Sequence, residues 1–73
     1  MITKVFELNG ENVTVSELTL GQMRKIDKMI DGNELDATVE MVKMATKKDD
    51  DFLDSLGMSD IRMIGEWLGS PTE

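Results

Sequence analysis

Seventy-three residues with no Cys, no His and a formal charge of −7 confine this chain to one small domain and remove several chemistries at once. A chain of this length buries only about 60% of the surface its unfolded form exposes, and without Cys or His neither a disulfide framework nor a structural zinc site can staple it. The 15 acidic residues outnumber the 8 basic ones, and residues 49–73 hold seven acids against Arg62 alone, which sets phosphate backbones among the disfavoured partners.

Residues 2–8, ITKVFEL, and 13–16, VTVS, are β-rich and flank Asn9-Gly10, the pair that best tolerates positive φ at both turn positions. With Asn9 and Gly10 as the turn, Leu8 faces Glu11, Phe6 faces Val13 and Lys4 faces Val15. That register gathers Ile2, Phe6, Leu8, Val13 and Val15 on one face and leaves Thr3, Glu7, Asn12, Thr14 and Ser16 on the other. Two strands alone are marginal in water, so the apolar face packs on the helices that follow, or the hairpin joins a neighbour's sheet.

Thr19-Leu20-Gly21-Gln22 reads as a capping box that opens a helix running to about Ile30, with Met23, Ile26 and Ile30 on its apolar stripe. Arg24, Lys25 and Lys28 form its solvated face, and Asp31-Gly32 ends it. Asn33 caps a second helix over about 34–47, with Glu34 and Asp36 in its first turn and Lys43, Lys47 and Lys48 near its end, the order the helix dipole favours. Leu35, Val39, Val42 and Thr46 make one stripe of this helix and Ala37, Met41, Met44 and Ala45 a second beside it. An outer helix needs an apolar stripe of only about 100°. The wider arc here means either a central helix with elements on two sides or a shoulder left for a partner.

Asp49-Asp50-Asp51 starts a short third helix, about 50–56, in which Phe52, Leu53 and Leu56 follow at helical spacing and Gly57 closes the turn. Ser59 is the expected cap of a last helix over about 60–68, with Ile61, Ile64 and Leu68 facing inward and Met63 and Trp67 on a separate shoulder. Residues 70–73 read as a flexible tail. The sum is an α+β fold in a single domain over 1–69: an N-terminal β-hairpin (2–16) followed by a small bundle of three to four short α-helices.

No residue set suited to catalysis emerges. General acid–base work at neutral pH draws on His, or on a carboxylate or Lys with a strongly shifted pKa held in a cleft, and the carboxylates here lie in polar, helix-starting contexts. The stretch from Asp31, DGNELDATVEMV, begins like a calcium loop but places Asp36 where the turn-forming Gly belongs and Val42 where the bidentate Glu belongs. A non-enzymatic protein is therefore expected, with no catalytic residue, cofactor or metal. The chain has no run of about 18 apolar residues to cross a membrane, and Met1-Ile2-Thr3-Lys4 does not open a signal peptide, so a cytoplasmic location without membrane or nucleic-acid partners is expected. Seven Met in so short a chain point to adaptable protein-binding surface. Ala37, Met41, Met44, Met63 and Trp67, all off the main stripes of their helices, are the candidate site for a client or for self-association.

The order of features from Val13 to Leu68 resembles the small tail assembly chaperones of long-tailed bacteriophages and prophages, the E-type and Mu-type proteins. The resemblance rests on the capped step Thr19-Leu20-Gly21-Gln22-Met23, the Leu/Val/Met-rich helix Leu35 to Ala45, the segment Leu53-Asp54-Ser55-Leu56 and the Asp-started helix Asp60 to Leu68. Leu18 stands where such proteins often have Pro, and Thr46-Lys47-Lys48-Asp49 stands where many have a threonine-glycine-leucine step. The resemblance implies a holder of the helix-prone tape measure protein that self-associates and works in the host bacterial cytoplasm. Two other readings compete with it: a structural tail or head-tail connector component, and a small acidic protein-binding regulator.

Overall fold

A computed structural model describes residues 1–29 and 32–72. The chain folds as an antiparallel hairpin, β1 (Thr3–Leu8) and β2 (Glu11–Ser16), followed by α1 (Leu20–Met29), α2 (Glu34–Thr46), α3 (Asp50–Asp54) and α4 (Met58–Gly69), the α+β arrangement expected. The hairpin has the register its turn dictates, with Leu8 opposite Glu11, Phe6 opposite Val13 and Lys4 opposite Val15. Asn9 at φ 52° and Gly10 at φ 79° form a type I′ turn, whose twist matches that of the strands. The Asn9 side-chain amide also donates to Ser55 Oγ at 2.7 Å, tying the turn to the end of α3.

Alternation in β1 and β2 sends Phe6, Leu8, Val13 and Val15 into one core with Val42 and Ala45 of α2, Leu53 and Leu56 around α3, and Ile61, Ile64, Trp67 and Leu68 of α4. Leu8, Val15, Val42 and Ile64 have no exposed surface worth the name. α2 touches β2, α1, α3 and α4, so it is the central element, and most of its wide apolar arc is covered from several sides. Its one buried polar side chain is satisfied: Thr46 Oγ1 donates to the Val42 carbonyl at 2.8 Å. α1 stands apart. It contributes a single buried residue, Ile26, which lies outside the main core cluster.

Three helix starts are capped by the side chains expected. Thr19 Oγ1 accepts from the Gln22 amide at 3.1 Å while Gln22 Oε1 accepts from the Thr19 amide at 2.9 Å, a complete capping box. Asn33 Oδ1 accepts from the Leu35 and Asp36 amides, and Asp49 Oδ1 from that of Phe52. α2 ends at Lys47, a non-glycine residue at φ 58° whose N–H returns to the Lys43 carbonyl. The hydrogen bond to Asp50, and then that carboxylate's charge, raise the pKa of the Lys43 ammonium above 10.5. Because the folded value is the higher one, this pair's contribution is fully present below about pH 10.5 and is lost as pH climbs beyond that through the higher folded value.

Several expectations are corrected. α4 begins at Met58, not near Asp60: its N-cap is Gly57, whose carbonyl accepts from the Asp60 and Ile61 amides, so Ser59 lies inside the first turn and caps nothing. Gly57, at φ −70°, opens α4 rather than closing α3 in a left-handed conformation. Residues 70–72 are not a free tail, since the Trp67 indole N–H donates to the Thr72 carbonyl at 2.9 Å. Leu35, placed by periodicity on the buried stripe of α2, is 51% exposed, because the core gathers at the other end of that helix around Val42 and Ala45. The expected extension of α1 to Ile30 and its stop at Asp31 lie outside the described residues.

Truncating a side chain at the centre of so small a core should be costly. Ile64→Ala, at a fully buried position, should lower the unfolding free energy by about 3 kcal/mol and the melting temperature by more than about 10 °C. Leu20→Ala, at a position 68% exposed, should change it by no more than about 0.5 kcal/mol. Thermal and urea unfolding followed by circular dichroism measure both.

Candidate protein-binding site

The five residues singled out from the sequence do not form one patch. Ala37 and Met41 line an open groove between α1 and α2, a cavity of about 300 Å³ whose other apolar walls, among the described residues, are Met23 and Ile26. Asp27 and Glu34 stand at its edge with Gly32 and Asn33. Met44, one turn further along the same side of α2, lines a separate small pocket with Met1, Thr19 and Gln22, where α1 begins. Met63 is 45% exposed on α4 and lines neither cavity. The groove places a mostly apolar floor beside two carboxylates that belong to different helices.

Trp67 is a correction. It is only 8% exposed, with its ring 6.0 Å from that of Phe6 at 76°, an edge-to-face contact that fastens the hairpin to α4. The shoulder inferred for Trp67 from helical periodicity exists, but the hairpin lies over it. For α4 the periodicity points to one buried stripe, whereas the helix packs on α2 and, through Trp67, on Phe6 of β1. The indole also needs a partner for its N–H, and the chain end supplies one at Thr72.

Met63 is exposed as expected, but most of the apolar exposure lies elsewhere. Leu20, Met23 and Met29 are exposed on α1, at 68%, 40% and 55%. Leu35 and Met58 line a second groove where α2 and α4 begin, together with Thr38, Ile61 and Arg62. The signal for α1 was available: a ten-residue helix with three apolar residues beyond its one core residue has more apolar surface than a single neighbouring helix can cover.

Electrostatically, the chain presents two ion pairs among the described residues, Lys43–Asp50 and Lys48–Glu11, both at 3.0 Å and both partly exposed. Lys4 and Lys48 sit over the rings of Phe6 and Phe52 at 5.3 and 5.1 Å. Arg24, Lys25 and Lys28 lie exposed on α1, which makes that helix the cationic part of an acidic molecule. Among the described residues there is no group of three or more His, Cys, Asp or Glu placed to hold a metal, and no helix is long and apolar enough to cross a membrane. No family model, no curated protein and no solved structure matches the chain.

As the only Trp of the chain, Trp67 reports its own environment. Its emission should be blue-shifted and resist quenching by acrylamide until the protein unfolds. Trp67→Phe, which keeps a ring against Phe6 but loses the hydrogen bond to Thr72, should cost about 1 kcal/mol of stability. Emission of a solvent-exposed indole in the native protein would contradict the core placement.

Proposed function

We propose that the protein is a non-enzymatic tail assembly chaperone that holds helical segments of a phage tape measure protein in the groove between α1 and α2. The observation that carries this reading is the groove itself, with Met23, Ile26, Ala37 and Met41 presenting an adaptable apolar floor between two helices. An amphipathic client helix can lay anchors spaced by three and four residues into such a floor, and Met walls accept different side chains without a unique fit. Asp27 and Glu34 at the rim favour a client helix that carries Lys or Arg beside its apolar stripe.

The family resemblance adds the identity of the client and the host bacterial cytoplasm as the place of action. One of its departures has a physical explanation. Where many of the resembling proteins have glycine after a threonine, this chain has Lys47, and Lys47 takes the left-handed conformation that glycine adopts most cheaply. The backbone can therefore keep the turn although the residue differs.

Co-purification with fragments of the long helix-rich protein of the same tail module tests the reading. Met41→Asp should weaken capture at least tenfold, since a charge would have to be desolvated against the client's apolar face, whereas Met63→Asp, away from the groove, should leave it within about twofold. If Met41→Asp stayed folded and bound as well as wild type, the groove would not be the client site. Presence of the protein in finished particles would instead favour a structural tail component.

A further inference from the structure

The hairpin leaves one row of strong hydrogen-bonding groups without partners. In a two-residue type I′ hairpin the residues flanking the turn form a hydrogen-bonded pair, and bonded and non-bonded pairs alternate from there. Leu8/Glu11, Phe6/Val13 and Lys4/Val15 therefore exchange ladder bonds. The same parity recurs beyond the strands, where the Glu17 amide donates to the Ile2 carbonyl at 2.9 Å. The N–H and C=O groups of Thr3, Val5 and Glu7 must then point away from β2. The sheet has two strands only, and among the described residues no hydrogen bond reaches these groups.

Of the two edges, that of β1 is the more open: Thr3, Val5 and Glu7, whose ladder groups point outward, are all exposed, whereas on β2 Asn12 and Thr14 are exposed but Ser16 is half-buried. On β1, Thr3, Lys4, Val5 and Glu7 are all exposed, and Val5, at 58%, is a β-branched apolar residue on the outer face. None of the usual protections of an edge by proline or bulge is present, since the register with β2 is continuous from Thr3 to Leu8.

We propose that β1 pairs antiparallel with β1 of a second copy about a two-fold axis at Val5, joining two hairpins into a four-stranded sheet. Only the outward-pointing residues Thr3, Val5 and Glu7 can form the bonded pairs, which leaves few registers. Val5 opposite Val5, with Thr3 opposite Glu7 on each side, engages all three residues of both strands. Sliding the strands so that Thr3 meets Val5 sets Lys4 against Lys4, and centring them on Glu7 sets two carboxylates face to face, both unfavourable. Sliding them so that Val5 meets Glu7 leaves only two bonded pairs. In the favoured register each Lys4 stands opposite the second copy's Phe6 and not opposite another charge, and its ammonium stays 5.3 Å from its own Phe6 ring. One short edge buries less than the roughly 1,200 Å² of a stable interface, so the dimer belongs to the weak, concentration-dependent class. It does not depend on the client reading.

Sedimentation equilibrium over micromolar to millimolar concentration tests this with two proline variants. Val5→Pro removes an N–H the hairpin does not use, and Thr14→Pro does the same on the edge of β2. Wild type and Thr14→Pro should dimerise alike, Val5→Pro should associate at least tenfold more weakly, and the Thr3, Val5 and Glu7 amides of wild type should gain exchange protection with concentration. Should Val5→Pro not fold, Val5→Lys with Val5→Thr as the conservative partner gives the same comparison, Lys abolishing and Thr keeping the dimer. A wild type that stays monomeric at millimolar concentration overturns the proposal, as does loss of association in Thr14→Pro alone or in neither variant. Client capture by a monomeric variant keeps the two readings separable.

Discussion

The fold depends on the apolar face of the hairpin being laid across α2 and α4. Two strands do not hold together in water by themselves, and helices of five to thirteen residues are marginal in isolation. Each half makes the other possible. Phe6 against Trp67 fixes one strand to α4, while Leu8 and Val15, fully enclosed, share one core with Val42 and Ile64. With no Cys to form a disulfide, this one layer of contacts supplies most of the cooperativity, and a domain of this size has only a few kcal/mol of net stability to lose.

What could be read from the sequence was whatever is set by neighbours along the chain. A two-residue Asn-Gly turn leaves one register for the strands, so the pairs Phe6/Val13 and Lys4/Val15 follow from the turn alone. Thr19 with Gln22, Asn33 and Asp49 declare their helix starts because a side-chain oxygen satisfies amides two or three residues away. The start of α4 escaped this logic because its cap is a glycine that contributes only a backbone carbonyl, while Ser59, chemically the better cap, sits within the helix. What was not legible was set by distant contacts. Trp67 looks like shoulder until the hairpin is folded over it, and Leu35 looks like core until the core turns out to sit at the other end of α2.

The same distinction governs the candidate site. More than half the circumference of α2 is apolar, and either a central position or an unfilled shoulder could account for it. Both contribute. Val42 and Ala45 are enclosed by neighbours, whereas Ala37 and Met41 face a groove that α1 only partly fills. The surplus apolar surface is therefore real but divided between the α1–α2 groove, the Leu35–Met58 groove and single exposed residues such as Met63. A surface split in this way suits several weak contacts better than one tight contact, because among the described residues no single patch offers the anchor cluster that high affinity draws on.

The groove also lies where the fold has least to lose. Among the described residues Ile26 is the one buried residue of α1, and the helix packs chiefly on α2, so its local opening costs less than opening the strands or α4. It is at the same time the cationic element of the chain: Arg24, Lys25 and Lys28 against Asp27 give it a charge of +2, which leaves −9 for the remaining residues of a −7 molecule. Attraction between α1 and that acidic remainder adds to the single buried contact without requiring tight packing, and it falls with salt as surface electrostatics must. Among the described residues this wall of the groove has one buried isoleucine, whereas β1, β2, α3 and α4 share the twelve-residue core. Stability and adaptability are thus assigned to different parts of the same short chain.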